Sequence, residues 1–248
     1  MSARFGAPRP ALSAGRWAPD IRAGLEAMLA DEAPGIAAFD WDETCIRGDI
    51  SETWLAELEA AEPTGRVHAY EAGCLADKRA AYIQLAIDLV RDRTEGEVRA
   101  AVLATAERAV RDGRIAYRPE IRELVWALHR HGWAVWVVTA SPTAVVQPLA
   151  ETYGVHPHRV LGMQSPLSPD GRYLPHLVEP ATFREGKLST LTVHAGGPPT
   201  FAAGDSEGDL WMLSAARYRL LVDRGPRGDP ALRARATAEG WWIQHGWT

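Results

Sequence analysis

The sequence predicts an α/β protein, a doubly wound parallel sheet with an inserted all-helical domain. Three observations predict it. Short apolar runs alternate with amphipathic helical patterns along most of the 248 residues, the order that builds a parallel sheet. One stretch, 48–116, interrupts the alternation and reads as helix throughout. Polar and acidic clusters follow directly on the apolar runs, where parallel sheets gather their ligands.

Residues 1–17 are rich in Pro, Gly, Ala and Arg and read as a mobile or loosely docked arm. From Pro19, the residues Ile21, Leu25, Met28 and Leu29 recur at helical spacing, and Pro34-Gly35 ends that helix. Ile36-Ala37-Ala38-Phe39 is then a buried strand of parallel type. Within 48–116, Trp54, Leu55 and Leu58 mark one helix and Tyr82 to Leu89 another. A capping box of Thr94 with Glu97 opens a third, which runs to about Arg111. Alternation resumes at Pro119, which starts a helix with Ile121, Leu124, Val125 and Leu128 on one face. Ala134–Val138 is a buried strand, followed by a helix from Thr143 to Tyr153 and a strand at Val160-Leu161. Residues 163–180 carry two Ser-Pro steps and Asp170-Gly171 and read as a hairpin flap. Lys187 lies near the start of a short helix, and Thr200–Ala203, Arg219–Val222 and Trp241–Ile243 complete the strands. The expected division is a core of residues 1–47 and 117–248 around a helical domain of 48–116.

Composition narrows the function classes. The 27 basic residues against 32 acidic ones leave a net charge of −5, the wrong sign for an electrostatic nucleic-acid binder. Two cysteines, Cys45 and Cys74, rule out a disulfide framework. A chain this long buries roughly 70–75% of its unfolded surface without staples. The longest charge-free stretch, Gly132–Ala150, is broken by Thr139–Pro142 and Gln147-Pro148 and is no membrane span. Met1–Pro10 lacks the apolar core of a signal peptide. The expectation is a cytoplasmic protein without a membrane or nucleic-acid partner, as monomer or homodimer. Of the ten tryptophans, Trp126, Trp133, Trp136 and Trp211 fall on core helices and a strand and read as packing, while Trp241, Trp242 and Trp247 crowd the C-terminus.

Four clusters carry chemistry, and each has a plainer alternative. Asp40-Trp41-Asp42-Glu43-Thr44 places two carboxylates two residues apart beyond a strand. One carboxylate can attack or bind a cation while the other moves a proton; the alternative is an acidic turn. Thr139-Ala140-Ser141 offers a hydroxyl and backbone N–H groups ahead of a helix, suited to a phosphoryl oxygen or simply to a cap. Lys187 stands alone between Lys78 and the C-terminus in a chain that otherwise uses Arg, either as a fixed cation or as a surface lysine. Gly204-Asp205-Ser206-Glu207-Gly208-Asp209 groups hard oxygen ligands at a strand end, which suits Mg²⁺ or a capping pair of Ser206 with Asp209.

Taken in this order, the clusters resemble the haloacid dehalogenase superfamily, in its phosphatase branch with a helical cap after the first motif. The matching pieces are Asp40-x-Asp42-x-Thr44, Thr139, Lys187 and Gly204-Asp205-x-x-x-Asp209, and the resemblance spans about Ile36 to Val222. Phosphoserine-phosphatase-like and phosphocholine-phosphatase-like members carry their cap where 48–116 stands. The resemblance implies a Mg²⁺-dependent phosphatase acting on a small phosphate monoester. Asp40 would form an aspartyl-phosphate, and Asp42 would protonate the leaving alcohol and then deprotonate water. Thr139, with Ala140 beside it, would hold phosphoryl oxygens, and Lys187 would offset negative charge. Asp40, the Asp42 carbonyl and Asp205 would hold the metal, with Asp209 supporting its shell. A phosphotransferase using the same intermediate, or a non-catalytic module retaining the fold, are the rival readings.

Specificity falls to the cap. Asp49 lies nine residues after Asp40, where phosphoserine phosphatases resemble it with an acidic residue facing the substrate amine; it also suits an N-cap. Lys78 and Arg79 would bind a substrate carboxylate or second phosphate, or form a solvated helix face. Trp54, with Tyr70 and Tyr82, would cage a quaternary ammonium or pack as core. His68 and His194 lack the spacing of a zinc site, and Cys45 reads as a small buried residue.

Overall fold

The computed structural model describes residues 12–245; residues 1–11 of the expected arm and Trp247 lie outside that range. Strand β1 (Ile36–Phe39) runs through the middle of a six-stranded sheet. It pairs on one side with β4 (Ala134–Pro142) and on the other with β6 (Phe201–Gly204), Phe39 lying opposite both Val137 and Ala203. Beyond β4 lies β5 (Val160–Met163), and beyond β6 come β7 (Tyr218–Val222) and β8 (Trp242–Gln244). Each of these pairings is parallel.

Side chains alternate along each strand, so the sheet has two apolar faces to cover. Ala37, Phe39, Val135 and Val137 pack with α1 (Pro19–Asp31), α6 (Pro119–Arg130) and α7 (Thr143–Ala150). Ala38, Trp136 and Val138 pack with α8 (Glu185–Ala195), α9 (Leu210–Ala215) and α10 (Pro230–Ala238) on the opposite face. This is the doubly wound arrangement expected from the β/α alternation.

Between β1 and β4 the chain forms α2 (Ile50–Ala61), α3 (Arg66–Ala76), α4 (Lys78–Val90) and α5 (Glu95–Arg111). The Thr94–Glu97 capping box forms as expected. Helix α3 buries none of its residues, so it has no apolar stripe by which a sequence pattern would mark it. A ribbon of β2 (Ile46–Arg47) against β3 (Ala116–Tyr117) draws the two ends of this helical segment together. Two residues per strand are too few to show alternation in sequence. Trp54, Leu55, Leu85, Leu89, Val98 and Val102 join the same apolar cluster as the inner face of the sheet.

Helices α2 and α5 are also tied by charge. Glu57 accepts hydrogen bonds from Thr105 (2.8 Å), Arg108 (2.6 Å) and Arg114 (2.8 Å). Burial would raise its pKa, but Arg108, Arg114 and Thr105 outweigh that and hold it at about 2.

Three expectations change. Residues 12–17 are docked: Leu12 and Trp17 are buried, and Ser13 Oγ donates to Glu123 at 2.6 Å. Trp126 and Trp211 are 46% and 52% exposed, because each lies on the outer side of a helix whose other side meets the sheet. The stretch 163–180 is a turn-closed loop less regular than a hairpin, with the isolated bridge Leu167–Tyr173 within it, and it is fastened to the helical segment by the bridge Thr94–Arg172 and by Tyr173 N–H to the Arg93 carbonyl at 2.9 Å. Among the described residues no helix is long and apolar enough to cross a membrane.

Replacing Trp17 with Ala should lower the free energy of unfolding by about 3–5 kcal/mol, measured by denaturant titration; an unchanged midpoint would mean that the segment is loose. Glu57→Gln should cost about 1–2 kcal/mol at pH 7, discounted for the partly exposed guanidinium groups. A depressed carboxylate pKa contributes stability above its unfolded value and loses it as pH falls through about 2. The gap between Glu57→Gln and the parent should therefore narrow steadily below pH 4 in thermal melts.

Candidate active site

The carboxyl ends of three adjacent strands meet at one point. Asp40 continues β1, its amide donating to the Ala203 carbonyl at 3.0 Å. Thr139 and Ala140 lie near the end of β4, and Asp205 follows β6. Two glycines make the close approaches possible. A Cβ at Gly204 would lie 2.5 Å from Asp209 Cβ, and one at Gly186 would lie 1.9 Å from the Ala181 carbonyl oxygen. Gly186 thereby lets the first turn of α8 carry Lys187 into the site.

Lys187 is 3% exposed and its Nζ donates to Asp40 Oδ1 and to Asp209 Oδ1, both at 2.6 Å. Burial opposes its charge, but Asp209 and Asp40 more than compensate and raise its pKa above the ordinary range. Asp209 is fully buried, and its Oδ2 accepts from the amides of Asp205 and Ser206 and from Ser206 Oγ, each at 3.1 Å. Asp209 therefore caps the turn, one of its two expected uses, and its other oxygen faces the lysine. Burial, then the charge of Asp209, raises Asp40 to about 6 against the opposing effect of Lys187. Asp205 is raised too, by burial and by the charges of Asp209 and Asp40. Thr44 Oγ1 donates to Asp205 Oδ1 at 3.2 Å, and Arg224 pairs with Oδ2 at 3.0 Å.

Asp40, Asp205 and Asp209 offer carboxylate oxygens within 4.8 Å of one another, all three buried. Such a donor set fits a hard divalent cation, since three hard carboxylate oxygens converge in one buried place that holds two neighbouring cationic side chains, Lys187 and Arg224. The carboxyl of Asp42 is turned to other partners, which leaves its main-chain carbonyl for the role the resemblance assigns it.

Asp42 has its own surroundings. Its Oδ1 accepts from the Ile50 amide at 2.9 Å and its Oδ2 from Ser141 Oγ at 2.6 Å. Burial raises Asp42 to about 7, against the lowering effect of the bonds from Ser141 and Ile50. Ser141 is thus no helix cap; α7 has no side-chain cap bond. The Ser141 amide donates to Thr139 Oγ1 at 3.0 Å, a bond that leaves the Thr139 hydroxyl proton unspent.

These groups open onto a cleft of about 120 Å³. Of the residues expected to meet substrate, Asp49, Lys78 and Ala140 line it, as do Asp40, Asp42, Thr139, Lys187 and Asp205. Asp49 also caps α2 through the Glu52 amide at 2.8 Å. Trp54 and Arg79 are not in the wall. Trp54 is 3% exposed within the apolar cluster, with the Arg93 guanidinium 5.5 Å from its ring. Arg79 pairs with Glu179 at 3.1 Å on the surface. The expected cage of Trp54, Tyr70 and Tyr82 is replaced by a row in which Tyr82 lies 6.0 Å from Tyr70 and 5.6 Å from Phe183. Cys45 is buried, its Sγ donating to the Asp40 carbonyl at 3.1 Å. Sequence reasoning passed over Phe183 and Arg224. Arg224 follows β7 closely, so the strand-end rule that flags Asp40 and Asp205 reaches it as well.

The model of the haloacid dehalogenase-like hydrolase family matches residues 37–214. Among solved structures, a conserved functionally unknown protein from Anaerococcus prevotii DSM 20548 superposes with a TM-score of 0.77 at 16% identity, covering 95% of this chain and 94% of that one. A protein of unknown function from Bordetella pertussis Tohama I gives 0.71 at 21% identity, over 86% and 98%. A phosphoserine phosphatase solved as a phospho-aspartyl intermediate analogue gives 0.55 at 17% identity, over 86% and 93%. At these identities the likeness concerns the fold. With the family model spanning most of its length and the strand-end carboxylates converging on one cleft, the chain belongs to the haloacid dehalogenase-like hydrolases.

Proposed function

We propose that the protein is a Mg²⁺-dependent phosphomonoesterase that hydrolyses a small polar phosphorylated metabolite through an aspartyl-phosphate on Asp40. The observation that carries this reading is the contrast between two neighbouring carboxyls. Asp40 is bonded to a buried ammonium in the carboxylate cluster. Asp42, two residues on, is held apart by Ile50 and Ser141 and raised to about 7. Two carboxyls in environments that divide their roles are what acid-assisted nucleophilic displacement requires.

In the first step an Asp40 carboxylate oxygen bonds to phosphorus as the ester P–O bond breaks, and Asp42 gives its proton to the departing alkoxide. In the second, Asp42 takes a proton from water, whose oxygen bonds to phosphorus as the bond to Asp40 breaks, releasing phosphate and restoring both side chains. Lys187 keeps Asp40 ionised and oriented, and the Thr139 hydroxyl is available to a phosphoryl oxygen. Asp40, Asp205 and the Asp42 carbonyl would hold Mg²⁺, with Asp209 fixing the loop; the ion when bound neutralises phosphoryl charge beside these carboxylates. The helical segment 48–116 acts as the cap in this reading, with Asp49 and Lys78 as the polar contacts to the rest of the substrate. The phospho-aspartyl analogue captured in the phosphoserine phosphatase of the same fold supports the assignment of Asp40.

Asp40→Asn should lower turnover of 4-nitrophenyl phosphate by at least about 10³-fold while the circular-dichroism spectrum stays unchanged; full activity would displace Asp40 as nucleophile. Chelation with EDTA should abolish turnover and excess Mg²⁺ should restore it. Asp205→Asn should raise the Mg²⁺ concentration needed for half-maximal activity by about tenfold or more. Activity indifferent to chelator would remove the metal from the reading.

A further inference from the structure

We infer that Ser51 is a positioning residue for Asp42, acting through Ser141. The inference rests on the proposed role of Asp42 as the proton donor, and it adds a residue of the helical segment to the machinery at the strand ends. Ser51 Oγ donates to Ser141 Oγ at 2.9 Å, and Ser141 Oγ donates to Asp42 Oδ2 at 2.6 Å. The residue before it, Ile50, donates its amide to the other oxygen of the same carboxyl at 2.9 Å. Two consecutive residues of α2 therefore hold both oxygens of Asp42, one directly and one across the Ser141 hydroxyl on β4.

Ser51 has no other task that explains its hydroxyl. A serine in the first turn of a helix commonly serves the helix end, but α2 is capped by Asp49 through the Glu52 amide. Ser51 is 2% exposed and Ser141 7%, so solvent does not readily take the place of either hydroxyl. Without Ser51, the Ser141 hydroxyl loses its donor and regains torsional freedom, and the Asp42 carboxyl loses the contact that fixes its plane. A hydroxyl both donates and accepts, so Ser141 stays a partner to the carboxyl before and after the proton is passed. Proton transfer in the transition state demands alignment, and a displacement of about 1 Å is worth about 10²-fold in rate.

The test is a series of aryl phosphates from 4-nitrophenyl to unsubstituted phenyl phosphate, assayed with saturating Mg²⁺. The 4-nitrophenolate departs with little help from an acid, whereas phenolate needs more. In Ser51→Ala the ratio of kcat on phenyl phosphate to kcat on 4-nitrophenyl phosphate should fall about tenfold, with little change in KM. In a Ser141→Ala background the same substitution should cost nothing further, because the path to Asp42 is already cut. Ser51→Thr and Ser51→Val match in shape and differ in the hydroxyl, so their comparison separates the hydrogen bond from packing; Thr should keep the wild-type ratio and Val should lose it. Equal losses across the aryl series, additive losses in the double variant, or indistinguishable Thr and Val variants would each overturn the inference. A wild-type protein that turns over none of the series overturns the phosphatase reading itself.

Discussion

Lys187 places one ammonium group 2.6 Å from each of two buried carboxylates, Asp40 and Asp209, and the geometry of the site descends from that arrangement. A buried charge costs several kcal/mol in lost hydration unless partners and hydrogen bonds offset it. Here the partners come from different elements: Asp40 from the end of β1, Asp209 from the turn after β6, the lysine from the first turn of α8. Removing the cation would leave like charges facing one another where burial leaves little water to screen them. The triad therefore acts as a register pin for the three elements. Asp209 passes the constraint onward, because its second oxygen ties down the amides of Asp205 and Ser206. The position of Asp205, and with it the rest of the carboxylate cluster, depends on the same lysine.

The second constraint is separation. Asp40 and Asp42 stand two residues apart in a loop whose turn is held by the Cys45 amide on the Trp41 carbonyl at 2.8 Å, with the Trp41 ring packed edge-on to Tyr153 at 5.3 Å. Tyr153, just after α7, also donates to the Cys45 carbonyl and accepts from the Arg118 amide at 3.0 Å, binding the loop to the region before α6. Packing below the loop thus keeps the two carboxyls on different partners. Asp40 sees an ammonium, whereas Asp42 sees an amide and a hydroxyl. The same residue type thus meets two different surroundings, which the proposed division of roles requires.

Much of this was legible in the sequence, for reasons that can be named. The strands were visible because parallel strands buried on both faces read as unbroken apolar runs, as Ile36–Phe39 does. Asp40, Lys187, Asp205 and Asp209 were visible because strand ends and a lone lysine are local signals. The contacts of Ser141 were not, since its partners Asp42 and Ser51 lie 99 and 90 residues away in the chain and a hydroxyl before a helix looks like a cap. Trp54 and Tyr82 carry the same helical spacing, yet one is buried in the apolar cluster and the other lines the cleft. Periodicity reports that a residue has an inward face but not which of two interiors receives it. Helix α3, with no buried residue, lies beyond reach of any hydrophobic pattern.

The wall of the cleft follows a different logic from its floor. The floor is made by strand ends and pinned by Lys187, so a substitution there disturbs several elements at once. The wall is shared: Asp49 and Lys78 come from the helical segment, whereas Phe183 comes from the loop before α8 and packs tilted against Tyr82 of α4 at 5.6 Å. That aromatic contact joins the two sides, and surface ion pairs of Arg79 with Glu179 at 3.1 Å and of Arg99 with Glu151 at 2.7 Å also bridge the helical segment to the core. Exposed ion pairs contribute little each, so the apolar contact and the continuous cluster beneath it carry most of the docking. Because Ile50 and Ser51 reach Asp42 across this same junction, the elements that shape the cleft wall also hold the carboxyl proposed as proton donor. In the proposed reaction, recognition of the organic part of the substrate and alignment of the acid would therefore be coupled through the seating of α2 on the end of β4, rather than assigned to separate domains.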